Sequence, residues 1–141
     1  ALQPVVQLQN FPNTVTDIFI DIIQADASTR CAGINAASMA LAHAGIPMTD
    51  LVGAVSMGLV GENICVDLTK EEEDYEEEGE KLVSDIPLAF LLRSNKVSLM
   101  QLDGKIKPDD LKKVIEAGKK ACHRIYEIQK DVLKSIKSEK K

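Results

Sequence analysis

The sequence predicts an α+β fold, a mixed β-sheet with helices packed on one face. Three observations carry this. Segments of strand length and composition run through the middle of the chain at 52–60, 63–68, 86–92 and 97–102, separated by turn signals. A helix of small residues precedes them at 30–44, and a long amphipathic helix follows them. The resulting order, strand–helix–strands–helix with hairpins in the middle, suits one layer of helices on one sheet.

Residues 1–12 mix apolar and polar types, with Pro4 and Pro12 as punctuation and a possible helix end around Val5–Leu8. From Asn13 to Gln24 the chain alternates around Val15, Ile18, Ile20 and Ile22, then becomes apolar on both faces. That is the pattern of a strand buried on one face along its length and on both near its end. Arg30 to Ala44 is rich in Ala, with Ile34, Met39 and Leu41 at helical spacing; Gly45 suits its C-terminal cap and Pro47 blocks continuation. Gly61-Glu62 and Ser94-Asn95 turn the chain between strands, and Asp103-Gly104 gives a further turn signal. Pro108 fits the first turn of the last helix, whose apolar stripe is Leu111, Val114, Ile115, Gly118, Cys122, Ile125, Val132 and Ile136. No repeat or linker interrupts this order, so residues 1–141 read as a single domain.

Composition narrows the function classes. At 45% hydrophobic the chain can build a real core, but aromatics are only 4% and Trp is absent, so that core must come from Ile, Val, Leu, Ala and Met. A net charge of −5 argues against a free-standing nucleic-acid binder; RNA contact would need a local positive patch or a partner's surface. Cys31, Cys65 and Cys122 lie far apart among apolar neighbours, which reads as buried free thiols in a reducing compartment rather than zinc ligands. There is no signal peptide and no run of membrane-span length, so no membrane partner is expected. The chain begins at Ala1, without Met, inside a continuing pattern, as a processed or partial chain would.

The most informative stretch is Gln24-Ala-Asp-Ala-Ser-Thr-Arg30, a polar turn between the first strand and the first helix. Backbone N–H groups, the positive end of a helix dipole and a guanidinium meet there, which is a place to hold a phosphate. The same Ser-Thr pair also reads as a helix N-cap. The second feature is the acidic run 71–80. Most of it reads as a solvated loop, yet carboxylates between two neighbouring strands can hold Mg²⁺ or act as a general acid. His43 reads as a helix C-terminal cap, His123 as surface or packing, and Arg93 and Arg124 as solvated ion-pair partners.

Three stretches together resemble the RNase PH superfamily: Gln24 to Arg30, the helix Ala36 to Met48, and Asp50-Leu-Val-Gly-Ala-Val-Ser-Met-Gly58. Val66 to Asp74, Asp85-Ile-Pro-Leu-Ala89 and Val97 to Gly104 continue the match in order. The resemblance covers nearly the whole chain but only the C-terminal part of a usual family member. It implies a partial RNase PH-like domain of the ribosomal protein S5 domain 2-like kind, without the N-terminal part and its RNA-gripping arginines.

The resemblance also implies phosphorolysis, in which inorganic phosphate attacks the 3′-terminal phosphodiester of RNA and releases a nucleoside diphosphate. Ser28, Thr29 and Arg30 fall on the phosphate-binding positions. Asp74 and Asp85 fall on the two acidic positions that carry a metal ligand and a general acid, with Mg²⁺ assigned to the pair and the proton donor left open. The implied partners are single-stranded RNA, a homologous ring subunit in a hetero-hexamer, and RNA-binding cap proteins. The implied compartment is the cytoplasm for an archaeal chain, or nucleus and cytoplasm for a eukaryotic one. Two departures stand out. Ser28 occupies a position where the family commonly has Gly, and Asp74 and Asp85 are eleven residues apart where six is usual. The catalytically inactive alternative is a structural ring subunit that binds RNA and partners. In a further alternative the chain needs another half to fold, leaving the strand Thr16–Ile23 with an unpaired, aggregating edge.

Overall fold

The structure, a computed structural model, describes residues 1–139. Its centre is a four-stranded sheet in the order β2-β1-β5-β6, made of β1 (Val52–Val60), β2 (Asn63–Val66), β5 (Val83–Leu91) and β6 (Lys96–Met100). Between β2 and β5 lie a short helix, α2 (Lys70–Glu73), and a small hairpin of β3 (Glu76–Glu77) and β4 (Glu80–Lys81). Helix α1 (Thr29–His43) precedes the sheet and α3 (Pro108–Glu139) follows it. Among the described residues no helix is long and apolar enough to cross a membrane.

The α+β class is as the sequence predicts, but the sheet is antiparallel throughout rather than mixed. Its parallel member would be residues 18–23, joined to β1 through α1, and those residues enter no strand ladder. Near the N-terminus a 3₁₀ turn at Leu8–Asn10 stands where a helix end was expected around Val5–Leu8.

Period-two alternation sorts the central strands into two faces. Val55 and Met57 of β1 join Ile86, Leu88 and Phe90 of β5 in one cluster, closed by Val114 and Cys122 of α3. Val52 and Ala54 join Ala89 and Leu91 in the other, closed by Cys31 of α1 and by Val5. The two long helices also meet each other, with Gln129 Nε2 of α3 donating to Asn35 Oδ1 of α1 at 3.5 Å. Helix α1 lies along the margin of β1 where β2 has ended. There Asn35 bonds both the N–H and the carbonyl of Ala54 at 2.8 Å, and Ser38 Oγ accepts from the Val52 N–H at 2.9 Å. Side chains of α1 thus replace the missing strand partner.

The acidic run 71–80, read from the sequence mostly as a solvated loop, holds α2 and the start of the β3–β4 hairpin. Glu78 and Gly79 both have positive φ, 53° and 82°, which is what a two-residue hairpin turn requires. Cys31 and Cys122 are buried as expected, Cys65 is only half-buried, and all three are free.

Candidate active site

The even-numbered face of β1 is apolar at Val52 and Ala54 and then turns polar at Ser56, opposite the Asp85 end of β5. A cavity of about 430 Å³ opens there. Ser28, Thr29 and Arg30 contribute one wall and Asp85 with Ser56 another, so the phosphate-loop positions and the second acidic position share one space.

Ser28 heads α1 with φ at +62°, in the left-handed region. That conformation is one glycine adopts without cost, which accounts physically for the glycine common at this family position. The Ser28 side chain does not cap α1, contrary to the N-cap reading; its hydroxyl instead donates to the Leu68 carbonyl at 3.3 Å. Thr29 and Arg30 follow in the first helical turn, where N–H groups have no carbonyl one turn back. The Arg30 guanidinium is exposed and donates to Gln101 Oε1 at the end of β6.

Two bonds fasten this loop to the acidic segment: the Ser28–Leu68 contact, and Asp26 Oδ1 accepting from the Lys70 N–H at 3.0 Å. Leu68 reaches its place because residue 58 is glycine. A Cβ there would stand 2.3 Å from Leu68 Cδ2. Asp85 is fixed at both levels. Its N–H donates to the Asp103 carbonyl at 2.8 Å, its carbonyl accepts from the Asp103 N–H at 2.9 Å, and its Oδ1 accepts from Ser56 Oγ at 2.5 Å.

Asp74 is placed differently. It ends α2, exposed, with its carboxylate 2.9 Å from Lys70 Nζ, and it does not line the cavity. Among the described residues no three His, Cys, Asp or Glu side chains converge as a metal site. Four acidic residues, Asp26, Glu73, Asp85 and Asp103, line the cavity together with Arg30. The Cys31 thiol in its floor is no nucleophile at neutral pH, because burial first, and the Asp85 and Asp67 charges next, push it up to about 11. His43 sits exposed in the last turn of α1, and exposed His123 meets the Tyr126 ring edge-on; neither lines the cavity. Sequence reasoning missed Ser56, Asp26, Gln101 and Asp103, which are brought here by register and loop closure.

Comparison with known proteins identifies the family. The model for the 3′ exoribonuclease family, domain 2, matches residues 50–121, and that for domain 1 matches residues 1–47. The exosome complex component Rrp41 of Nitrosopumilus maritimus is 43% identical over 133 residues, 94% of this chain and 52% of that protein. Its counterpart in Thermococcus kodakarensis is 43% identical over 95% of this chain and 51% of its own length. Rice Rrp46, a solved structure, superposes with a TM-score of 0.70 at 27% identity, covering 79% of this chain and 51% of that one. The chain thus spans about half the length of these relatives. With the domain 2 model alone matching residues 50–121 and the domain 1 model abutting it, the chain belongs to the 3′ exoribonuclease, or RNase PH, family.

Proposed function

We propose that this chain is a phosphorolytic 3′→5′ exoribonuclease subunit of an exosome-type ring, shortening single-stranded RNA with inorganic phosphate and releasing nucleoside diphosphates. The observation that carries this reading is the shared cavity, in which Arg30 and the head of α1 face the space that Asp85 also lines. Phosphorolysis must bring two anions together. A guanidinium and fixed N–H donors reduce that repulsion and stabilise the charge shared in the transition state. Asp85, on the rigid strand β5, is the group placed to manage a proton near the leaving 3′-oxygen.

The names of the relatives support a multi-subunit setting, because both archaeal proteins are exosome complex components. Charge supports it independently. A chain of net −5 repels RNA, so a homologous ring subunit and RNA-binding cap proteins would supply the positive surface. We also propose Mg²⁺ as a companion of the reaction, on the resemblance alone. Asp74 beside Lys70 and Asp85 beside Ser56 do not form a metal site by themselves.

One observation favours the competing reading, an inactive ring subunit that shapes an RNA channel: four acidic residues and one arginine line the cavity. The deciding experiment is phosphorolysis of 5′-labelled single-stranded RNA by the reconstituted assembly, wild type against Arg30→Ala and Asp85→Ala. Phosphate-dependent shortening that yields nucleoside diphosphates and falls at least ~100-fold in each variant is the expected result. An assembled wild type that binds RNA and leaves it whole, with phosphate and Mg²⁺ present, makes the chain a scaffold.

A further inference from the structure

Ser56 is the buried polar group that apolar neighbours do not explain. It lies mid-strand in β1, only 2% exposed, between Val55 and Met57, both of which belong to the core on the opposite face. A hydroxyl buried without a partner costs free energy, and here the partner is one carboxylate oxygen, Asp85 Oδ1 at 2.5 Å. That distance is at the short end of charge-assisted O–H···O⁻ bonds, the strong kind. Register explains why these two side chains meet. Asp85 stands opposite Gly58, which offers no side chain, so the diagonal residue Ser56 is the β1 group Asp85 can lean on. Oδ2 of Asp85 has no hydrogen-bond partner among the described residues, so one oxygen is tied and the other is left for the cavity.

We propose that Ser56 is the positioning residue of Asp85: its hydroxyl fixes the carboxylate through Oδ1 and presents Oδ2 to the reacting RNA end. The proposal rests on the enzyme reading above. Ser56 acts through Asp85, so its loss lowers turnover without weakening substrate binding. The loss of one hydrogen bond to a charged group predicts a fall in kcat of about 10- to 100-fold.

The test is steady-state and single-turnover phosphorolysis by the reconstituted assembly carrying Ser56→Ala, Ser56→Thr, Asp85→Asn, or Ser56→Ala with Asp85→Asn. Expected are a lowered kcat for Ser56→Ala with KM for RNA and phosphate within about two-fold, and recovery to within about three-fold in Ser56→Thr, which keeps the hydroxyl. On the Asp85→Asn background, Ser56→Ala costs nothing further, because the carboxylate it served is gone. Wild-type turnover in Ser56→Ala overturns the proposal, and so does an equal loss on both backgrounds, the mark of a merely structural role. If the wild type has no activity, the enzyme reading fails and the role of Ser56 falls with it; if Asp85→Asn keeps full activity, the enzyme reading stands and the role given to Ser56 is overturned.

Discussion

At the scale of single residues, the two buried thiols make a statement about stability. Burial pushes Cys122 from 9.0 up to about 12, with the neighbouring Cys31 adding to it, and pushes Cys31 up to about 11. The folded chain therefore keeps protons that the unfolded chain releases above pH 9. Stabilisation from the neutral thiols is complete below that value and is lost as pH rises toward about 11 and about 12. Each thiol contributes up to ~1.4 kcal/mol per pH unit within its window. Urea unfolding between pH 8 and about 10.5 checks this. The wild type should lose stability with pH more steeply than the Cys31→Ala, Cys122→Ala double variant, in which Lys and Tyr titrate but no buried thiol does. Equal slopes would show that the thiols are not desolvated. At this scale the sequence was a partial guide. Arg30 and Asp85 were legible because a motif and a strand carry them. Ser56 was not, since one serine inside Val-Ser-Met reads as an ordinary strand residue until register sets it diagonal to Asp85.

At the scale of elements, legibility followed locality. The span 52–60 was readable as a strand and is β1 from end to end, because a β-rich run bounded by turn residues specifies itself. Helix α1 was readable within a residue at each end, since Ala content and the Gly45 stop are local signals. Residues 13–24 carry the strand alternation too, yet a strand also needs a partner, and the pattern does not say where that partner is. The hairpin β3–β4 was hidden for a different reason: a run of glutamates looks solvated whether or not it pairs. This hairpin stands outside the main sheet and lies in the stretch that stretches the Asp74–Asp85 spacing to eleven. Excising residues 77–81 restores a spacing of six and removes three glutamates and one lysine. A two-stranded ribbon adds little stability by itself, so the melting temperature should change by less than about 3 °C. RNA should bind the assembly about two- to five-fold more tightly at low salt, with the gain gone at high salt where the repulsion is screened. A gain that persists at high salt would mean that the hairpin blocks RNA by bulk rather than charge.

At the scale of the whole molecule, the apolar surface is not fully folded away. Val15, Phe19 and Ile23 are 85%, 88% and 100% exposed, while Ile18, Ile20 and Ile22 are about half so, leaning inward; Ile20 packs near Gly33 of α1. The strand expected over 13–24, buried on one face and then on both, is therefore not formed: residues 15–23 are all exposed, and Ile20 alone is brought against Gly33 of α1. Helix α1 behaves consistently with this. It has no charged face, and Ala32, Ala36 and Ala40 along its outer side are exposed. A helix apolar on all sides is the kind normally covered on all sides. An extended segment with unpaired N–H and carbonyl groups next to an apolar face is also a template for another strand. In isolation the chain is thus expected to self-associate with rising concentration. Replacing Phe19 and Ile23 by Lys puts two like charges on the outward side without disturbing Ile18, Ile20 or Ile22. Sedimentation of both forms over a range of concentrations decides the matter. The double variant should stay monomeric where the wild type forms larger species, with the same helix and strand content by circular dichroism. Equal sedimentation of the two forms would place the sticky surface elsewhere on the molecule and leave residues 15–23 as an ordinary solvated arm.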